Sequence, residues 1–505
     1  MKVCLLQIGY DIELQYNALK TFMPKDVEFD CYYLMDYYIK KQLEIFPRRD
    51  KKYEDLLVQK NKRMMKNFQE FLPIFLLMVK NFRSGIDIFH QLKKQYDNLN
   101  YDNIKYNFSK IDQMRTQTED FLRDISIEKY DVVGISTTDG GIYNSVIAIL
   151  MLRDKYPDKK IIIGGGLFKT YKELREILLR LNLVDTFVDG DGELALPHII
   201  QNQEFPKEIN MPVHDLDSLP FPEPGFESFL WKNDNTSANI YSSRGCPNKC
   251  SFCNEGINSF RCLSAERLGS WVRKTITDYK TDRIVIADNL LCPSETYIET
   301  FYRSIEDLVG KFTLVFAQIH PKIMNKNIIK MMKNLDARIF LGIESFSQNI
   351  LDKMQKQTTV EQNIKVIDEC LKYGLDIDMG RIFLFPGESY EDFFTSINYF
   401  TKYLNKTVQS VWLNNMTLYP ETPIYKNPDA FNIQFINFDN EIAEIVPEVR
   451  DIILKYPRDY IDLTDPDDVL YDKKYKILRT TNEVLCRIFL KKWRKEWPNF
   501  HGKLK

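Results

Sequence analysis

Cys246, Cys250 and Cys253 fall within eight residues of the stretch Arg244-Gly-Cys-Pro-Asn-Lys-Cys-Ser-Phe-Cys-Asn-Glu-Gly256. The spacing Cys-x3-Cys-x2-Cys lets one loop wrap three sulfurs around one face of a small inorganic centre. A cubane iron–sulfur cluster normally takes four thiolates, so three local ligands leave one iron open for chemistry. A structural zinc asks for four closed ligands, usually paired Cys or Cys/His motifs. Cys262 has no partner at such a spacing and no His lies near. Zinc, like three uncoordinated thiols, is therefore the weaker reading.

Such a loop needs rigid support, and the flanking sequence supplies it. Ala238–Ser243 reads as a strand leading into the loop, and strands and helices alternate from about 237 to 418. Arg283–Ala287 ends in Asp288-Asn289, Phe312–Phe316 ends near Gln318, and Ala337–Leu341 ends in Gly342-Ile-Glu-Ser345. Asp376–Leu384, which contains Arg381, ends in Phe385-Pro-Gly-Glu388, and Val408–Leu413 ends near Asn415. Six such strands predict a partial βα barrel, whose chemistry belongs at the C-terminal strand ends where these polar residues collect. One helix carries plain punctuation: Val360, Ile364, Ile367 and Leu371 form its apolar stripe, Thr359 with Gln362 reads as a capping box, and Gly374 ends it.

Residues 1–214 read as a second α/β region. Lys2–Ile8, Asp131–Ser136, Lys160–Ile163 and Asp185–Val188 are apolar runs with helical periods between them, the pattern of a doubly wound parallel sheet. Ligands of such sheets bind outside the carboxyl ends of the strands. Ser136-Thr137-Thr138, Gly164-Gly165-Gly166 and Gly190-Asp191-Gly192-Glu193 all fall there, and glycines let a ligand approach the backbone closely. A long, mostly helical insertion occupies about 37–127, residues 215–236 form a Pro-rich linker, and 427–505 read as a further helical segment.

Composition narrows the partners. With 69 Lys and Arg against 71 Asp and Glu, a net charge of -2 gives no global basic field, and no nucleic-acid partner is expected. The longest apolar run, Phe71–Val79, contains Pro73 and is far short of the ~20 residues of a bilayer span, so no membrane partner is expected. Met1–Tyr10 enters a strand-like run without a basic lead, so no secretory signal is expected. Nine Cys, an odd number with three in one motif, point to a reducing cytoplasmic setting rather than a disulfide framework.

The Cys motif, with aromatic Phe252 before its last Cys and a strand ahead of it, resembles the cluster loop of radical S-adenosylmethionine (SAM) enzymes. Across about 125–425 the chain is similar to the branch of that family in which a cobalamin-binding domain precedes the barrel. Ser136, the paired glycines 164–165 and the acidic Gly190-Asp-Gly-Glu193 loop carry that likeness, together with the Leu-Pro-x-Pro connector near 219–222, Gly-Ile-Glu-Ser345 and Phe385-Pro-Gly-Glu-Ser389. The Asp-x-His-x-x-Gly motif, which supplies a cobalt-ligating His elsewhere, is absent, and the helical insertion is longer than a compact domain of this kind would carry.

The resemblance implies a fold and a set of sites. The fold is α/β: a Rossmann-like cobalamin-binding domain (1–214) with its helical insertion, the linker (215–236), a partial (βα)6 radical SAM barrel (237–426) and a helical C-terminal segment (427–505). Cys246, Cys250 and Cys253 would ligate a 4Fe–4S cluster. SAM would be bound by Phe252 at the adenine, Asp288 and Asn289 at the methionine end, Glu344 and Ser345 at the ribose, with Gln318 and Arg381 at neighbouring strand ends. Cobalamin would lie against Ser136, Thr137, Thr138, Gly164, Gly165, Gly166, Gly190, Asp191, Gly192 and Glu193.

The implied activity is cobalamin-dependent methylation of an unactivated carbon of a peptide or natural-product precursor through a 5′-deoxyadenosyl radical. A flavodoxin- or ferredoxin-type electron donor would start the reaction. A radical SAM rearrangement or cyclisation without methyl transfer, and a non-catalytic zinc scaffold, are the competing readings.

Overall fold

A computed structural model describes residues 1–8, 14–34, 37, 72, 75, 76, 79, 114–137, 141–223, 225–226, 237–291, 293–404, 408–438 and 440–463. Most of the expected insertion at 37–127, Thr138 and everything after 463 lie outside these residues. The chain divides into two compact units, one within Met1–His214, Pro220–Asp234 and Ile436–Asp459, the other within Asp215–Leu219, Asn235–Phe435 and Tyr460–Lys505.

The first unit is built on strands β1 (Lys2–Ile8), β2 (Glu28–Tyr33), β3 (Val132–Thr137), β4 (Lys160–Gly164), β5 (Thr186–Asp189) and β6 (Glu208–Asn210). They form one parallel sheet in the order β2-β1-β3-β4-β5-β6. A parallel sheet must be covered on both faces, which is why its strands read as unbroken apolar runs. Alternate residues serve opposite cores. Cys4, Leu6, Ile8, Val133 and Ile135 pack with Val146 and Ile149 of the helix Ile142–Lys155. Val3, Leu5, Val132 and Ile162 pack with Ala195, Leu196 and Ile199 of the helix Gly192–Asn202. Chain order reverses at β1, which has β2 on one side and β3 on the other, so the switch point of this sheet lies at the β1/β3 ends.

Residues 436–459, grouped by the sequence reading with the C-terminal segment, belong to this first unit. Val449, Ile452 and Ile453 enter the same apolar core as Ile177 and Leu178. Glu176 accepts from Tyr456 Oη at 2.6 Å and pairs with Lys455 Nζ at 3.2 Å, while Arg180 pairs with Asp451.

The linker contains the short strand β7 (Gly225–Phe226). The second unit takes β8 (Ala238–Ile240), β9 (Ser243–Arg244), β10 (Arg261–Cys262), β11 (Arg283–Ile286), β12 (Thr313–Ile319), β13 (Arg338–Glu344), β14 (Asp376–Phe383) and β15 (Ser410–Asn415). Six of these run parallel in the order β8-β11-β12-β13-β14-β15, the partial barrel that the alternating pattern predicts. Ile284, Ile339, Leu341, Ile377 and Met379 are fully buried, each worth roughly 1.5–3 kcal/mol of transfer from water. The helix Val360–Tyr373 has the expected capping box between Thr359 and Gln362 and stops at left-handed Gly374. Beyond the barrel the described residues are not only helical: β16 (Ile433–Asn437) pairs with β17 (Pro457–Asp462).

Candidate functional site

The Cys loop is closed at its base and pinned at its middle. β9 and β10 pair antiparallel, Arg244 opposite Arg261 and Ser243 opposite Cys262, so the chain leaves and re-enters at one place. Cys246 N donates to Glu255 O at 3.2 Å, and Cys253 N to Cys250 O at 3.2 Å. Between the last two thiols, Ser251 N donates to Met354 O at 2.9 Å, Ser251 Oγ to Lys353 O at 2.8 Å, and Ile424 N to Ser251 O at 3.1 Å. All three loop thiols are free, Cys250 buried and the other two half-buried. Asn248 Nδ2 donates to Cys246 Sγ at 3.7 Å, and Lys322 Nζ holds Asn248 Oδ1 at 3.3 Å.

Burial pushes the Cys253 thiol up to about 11 and raises Cys250 as well, with the Lys356 charge opposing it at Cys250. Lys356 is the residue that the spacing of motifs did not point to. Only 7% exposed, its Nζ lies 3.4 Å from Glu344 Oε1 and 6.0 Å from the centre of the Phe252 ring. Burial works against its charge, but Glu344, Cys250 and Cys253 more than offset that and hold it above the ordinary lysine range. Among the described residues, no three His, Cys, Asp or Glu side chains converge on a single-ion site. The donor set is three free thiols on one loop beside a buried cation, and it fits an anionic thiolate cluster with one metal corner left open.

Glu344 ends β13 with φ 64, a left-handed conformation costly for a side-chain-bearing residue and found mostly where surrounding structure enforces it. Two contacts enforce it: Ser345 N donates to Ile343 O at 2.8 Å, and Arg381 Nη1 donates to the Glu344 carbonyl at 2.8 Å. Gly342 lies close beneath this pair: a Cβ there would stand 2.7 Å from Glu344 Oε1 and 2.8 Å from Lys356 Nζ and would push the two side-chain ends aside. Arg381 itself is fully buried, paired with Glu388 and stacked on Phe383, while Glu388 Oε2 accepts from Leu384 N at 3.0 Å. It clasps the Phe385-Pro-Gly-Glu388 turn to the end of β13.

The other barrel residues divide by exposure. Asp288 is buried, and its Oδ2 accepts from Ser242 N, Ser242 Oγ and, at 3.0 Å, Ser243 N, so it fixes the turn that leads into the Cys loop. Burial outweighs those hydrogen bonds and pushes its carboxyl up to about 7. Asn289 is exposed, Gln318 is half-buried, and Phe252 packs at the edge of an apolar cluster with Ile350, Met354 and Phe385. The Ser345 hydroxyl lies 3.1 Å from Ser396 Oγ on the helix Tyr390–Leu404 and accepts from Ser347 N at 3.1 Å. Its hydrogen bonding thus goes to that helix and the following turn. Buried His320 is held neutral, chiefly by burial and then by the Lys356 and Lys322 charges, with a pKa near 3; its Nε2 lies 3.1 Å from Lys356 O.

In the first unit, the sequence-predicted residues gather at the carboxyl ends of β3, β4 and β5. Ser136 stands in register with Gly164 on one side and Gln7 on the other. Gly165 has φ 91 and ψ 172, a conformation essentially reserved for glycine, and a Cβ there would lie 2.9 Å from Thr137 O and 3.1 Å from Ser136 Oγ. Gly166 is exposed, with none of the described residues within 4 Å of where its Cβ would be. Gly165 and Gly166 thus present exposed backbone at the end of β4. Thr137 turns the other way, its hydroxyl 2.6 Å from Ser145 Oγ in the core. Gly190 is left-handed with φ 93, Asp191 accepts from Val213 N at 2.7 Å, and Gly192 and Glu193 begin the helix Gly192–Asn202. Gln7, missed by the sequence reading because it sits inside the apolar run VCLLQI, is 1% exposed and has, among the described residues, no hydrogen-bond partner on either amide atom.

Among the described residues no helix is long and apolar enough to cross a membrane. Residues 240–400 match the radical SAM superfamily. A tRNA-2-methylthio-N(6)-dimethylallyladenosine synthase of Ehrlichia canis is 26% identical over 320 residues, covering 58% of this chain and 66% of the relative. The chain thus spans just under two thirds of that relative's length. The cobalamin-dependent SAM radical enzyme OxsB, solved with aqua-cobalamin and SAM bound, superposes with a TM-score of 0.50 at 14% identity, over 85% of this chain and 56% of OxsB. The radical SAM methyltransferase TsrM from Kitasatospora setae, solved with cobalamin and a [4Fe-4S] cluster, gives 0.51 at 11% identity, over 87% of this chain and 78% of TsrM. At these identities the likeness to OxsB and TsrM is one of fold.

Proposed function

We propose, from the premise that the chain carries a radical SAM domain over residues 240–400 and is a radical SAM enzyme with a 4Fe–4S cluster and SAM as its cofactors, that it is a cobalamin-dependent methyltransferase. Its substrate would be an unactivated carbon of a peptide or a natural-product precursor. When bound, the cluster supplies the electron that cleaves SAM, and cobalamin supplies the methyl group. Cys246, Cys250 and Cys253 would hold the cluster, and Lys356 balances the negative charge of their thiolates. Glu344, fixed by Arg381 at its backbone and Lys356 at its carboxylate, offers an acceptor suited to the two hydroxyls of a ribose. Asp288 sets the course of the chain into the Cys loop. In the first unit, Ser136 and Gly164–Gly166 fit cobalamin because Gly165 and Gly166 at the end of β4 are exposed and lack side chains that would hold a ligand off the backbone.

The observation that carries the reading is this pairing in one chain: a three-thiol loop at the strand ends of a barrel, and a separate doubly wound sheet with exposed glycine backbone at the end of β4, next to its β1/β3 switch point. The named activity of the Ehrlichia relative favours methylthio transfer as the second reading. Against it, residues 1–214 hold two Cys, Cys4 and Cys31, and so depart from the extra N-terminal Cys triad of the tRNA methylthiotransferase pattern. The chain would draw on a flavodoxin- or ferredoxin-type donor in the cytoplasm. The test is anaerobic reconstitution with iron, sulfide, hydroxocobalamin and methyl-labelled SAM, followed by mass spectrometry against candidate peptides and small precursors. A labelled methyl on carbon supports the proposal. A product carrying sulfur, or a rearranged product without label, contradicts it.

A further inference from the structure

We propose that Gln7 is a binding residue for the nucleotide tail of cobalamin, an inference that rests on the reading just given. Buried amides in folded proteins are almost always hydrogen-bonded. Gln7 departs from that rule twice over, with Nε2 and Oε1 both unpartnered among the described residues at 1% exposure. It stands one residue from the end of β1, beside Tyr33 of β2 and Ser136 of β3, where the strand order reverses. Ligands of open parallel sheets bind at that point.

The face is fixed by the alternation of the strand. Val3 and Leu5 pack with Ala195 and Ile199, and Gln7 continues their side, as Ser136 continues the side of Val132. An amide and a hydroxyl therefore stand next to each other at the switch point, beside the Gly165 cradle. Size selects which part of the ligand reaches them. The broad corrin ring must stay outside the strand ends, so only a slender appended chain can meet a residue this deeply covered. Chemistry agrees, because an amide both donates and accepts, matching the ribose hydroxyls and phosphodiester oxygens of the tail.

The experiment compares the full chain with Gln7→Met, which has similar length and no polar group. Affinity for hydroxocobalamin and for cobinamide, which lacks the nucleotide tail, is measured by absorbance titration, and melting temperature is measured without ligand. The variant is expected to bind hydroxocobalamin about tenfold more weakly, the scale of one lost buried hydrogen bond. Cobinamide affinity should be unchanged, and the ligand-free chain should melt at the same temperature or higher. Equal hydroxocobalamin affinity, an equal loss for cobinamide, or a lower ligand-free melting temperature each overturns the inference. Failure of the unaltered chain to bind hydroxocobalamin overturns the cobalamin reading itself, and this inference with it.

Discussion

The strand ends of the two units solve the same problem in opposite ways. At the barrel, polar side chains answer one another: Glu344 with Lys356, Arg381 with Glu388, Asp288 with Ser242. At the sheet of the first unit the β4 end is exposed glycine backbone, and among the described residues the Gln7 amide near the β1 end has no partner. A site for a charged cluster and a small charged co-substrate needs fixed counter-charges before either arrives, since reorganising them later would be costly. A site for a large ligand needs room, and leaves its hydrogen bonds to be completed by that ligand. The first arrangement should be fragile to loss of a partner, the second to gain of an atom.

The sharpest break in the barrel arrangement is Arg381→Met. It leaves Glu388 buried without its cation and releases the Glu344 carbonyl, so the chain should lose about 3–5 kcal/mol in denaturant titrations, the usual cost of orphaning a buried charge. A loss below 1 kcal/mol would mean that the clasp is not what holds Glu344.

Asp288 carries the next effect, and its sign is unusual for a carboxylate. Its pKa rises from the ordinary 3.8 to about 7 on folding, so the folded chain holds the proton more tightly. The stability it contributes is fully present below about 3.8 and is lost as pH rises through about 7, up to roughly 4 kcal/mol at about 1.4 kcal/mol per unit. Denaturation midpoints of the cofactor-free chain should fall across that window, and Asp288→Asn should flatten the slope.

Glu344→Ala tests binding rather than folding. SAM affinity should drop by about 1.5–3 kcal/mol, the worth of hydrogen bonds to a charged group, with iron content unchanged. Calorimetry on iron-replete protein reads it, and unchanged affinity would remove Glu344 from the site. On the other side of the comparison, Gly165→Ala adds one carbon 2.9 Å from Thr137 O at a φ of 91. It should lower stability by about 1–3 kcal/mol in thermal melts. A neutral result would show that the β4 end adapts, and would blur the contrast between the units.

What could be read in advance was what lies close in sequence. The Cys spacing, the Thr359–Gln362 cap and the polar residues after each barrel strand are signals spanning a few residues, and the fold keeps them where the pattern put them. Lys356 was invisible because its partner Glu344 is twelve residues away, and the chain returns to it only through the short helix Gln348–Lys353. Arg381 looked like a site residue because it stands at a strand end, yet its guanidinium is committed to Glu344 O and Glu388. Ser345 follows Glu344 in sequence but hydrogen-bonds toward Ser396 and Ser347, because the strand ends at left-handed Glu344 and the chain turns there. Gln7 was hidden because a single polar residue in an apolar strand gives no periodic signal.

The account rests on two metal-bearing sites in one chain, and metal content tests that directly. The chain should be isolated anaerobically from cells supplied with cobalamin, beside Cys250→Ala. About four iron atoms and one cobalt per chain are expected, with the iron lost and the cobalt kept in the variant. Stoichiometric zinc with neither iron nor cobalt, or iron unchanged in Cys250→Ala, would contradict it.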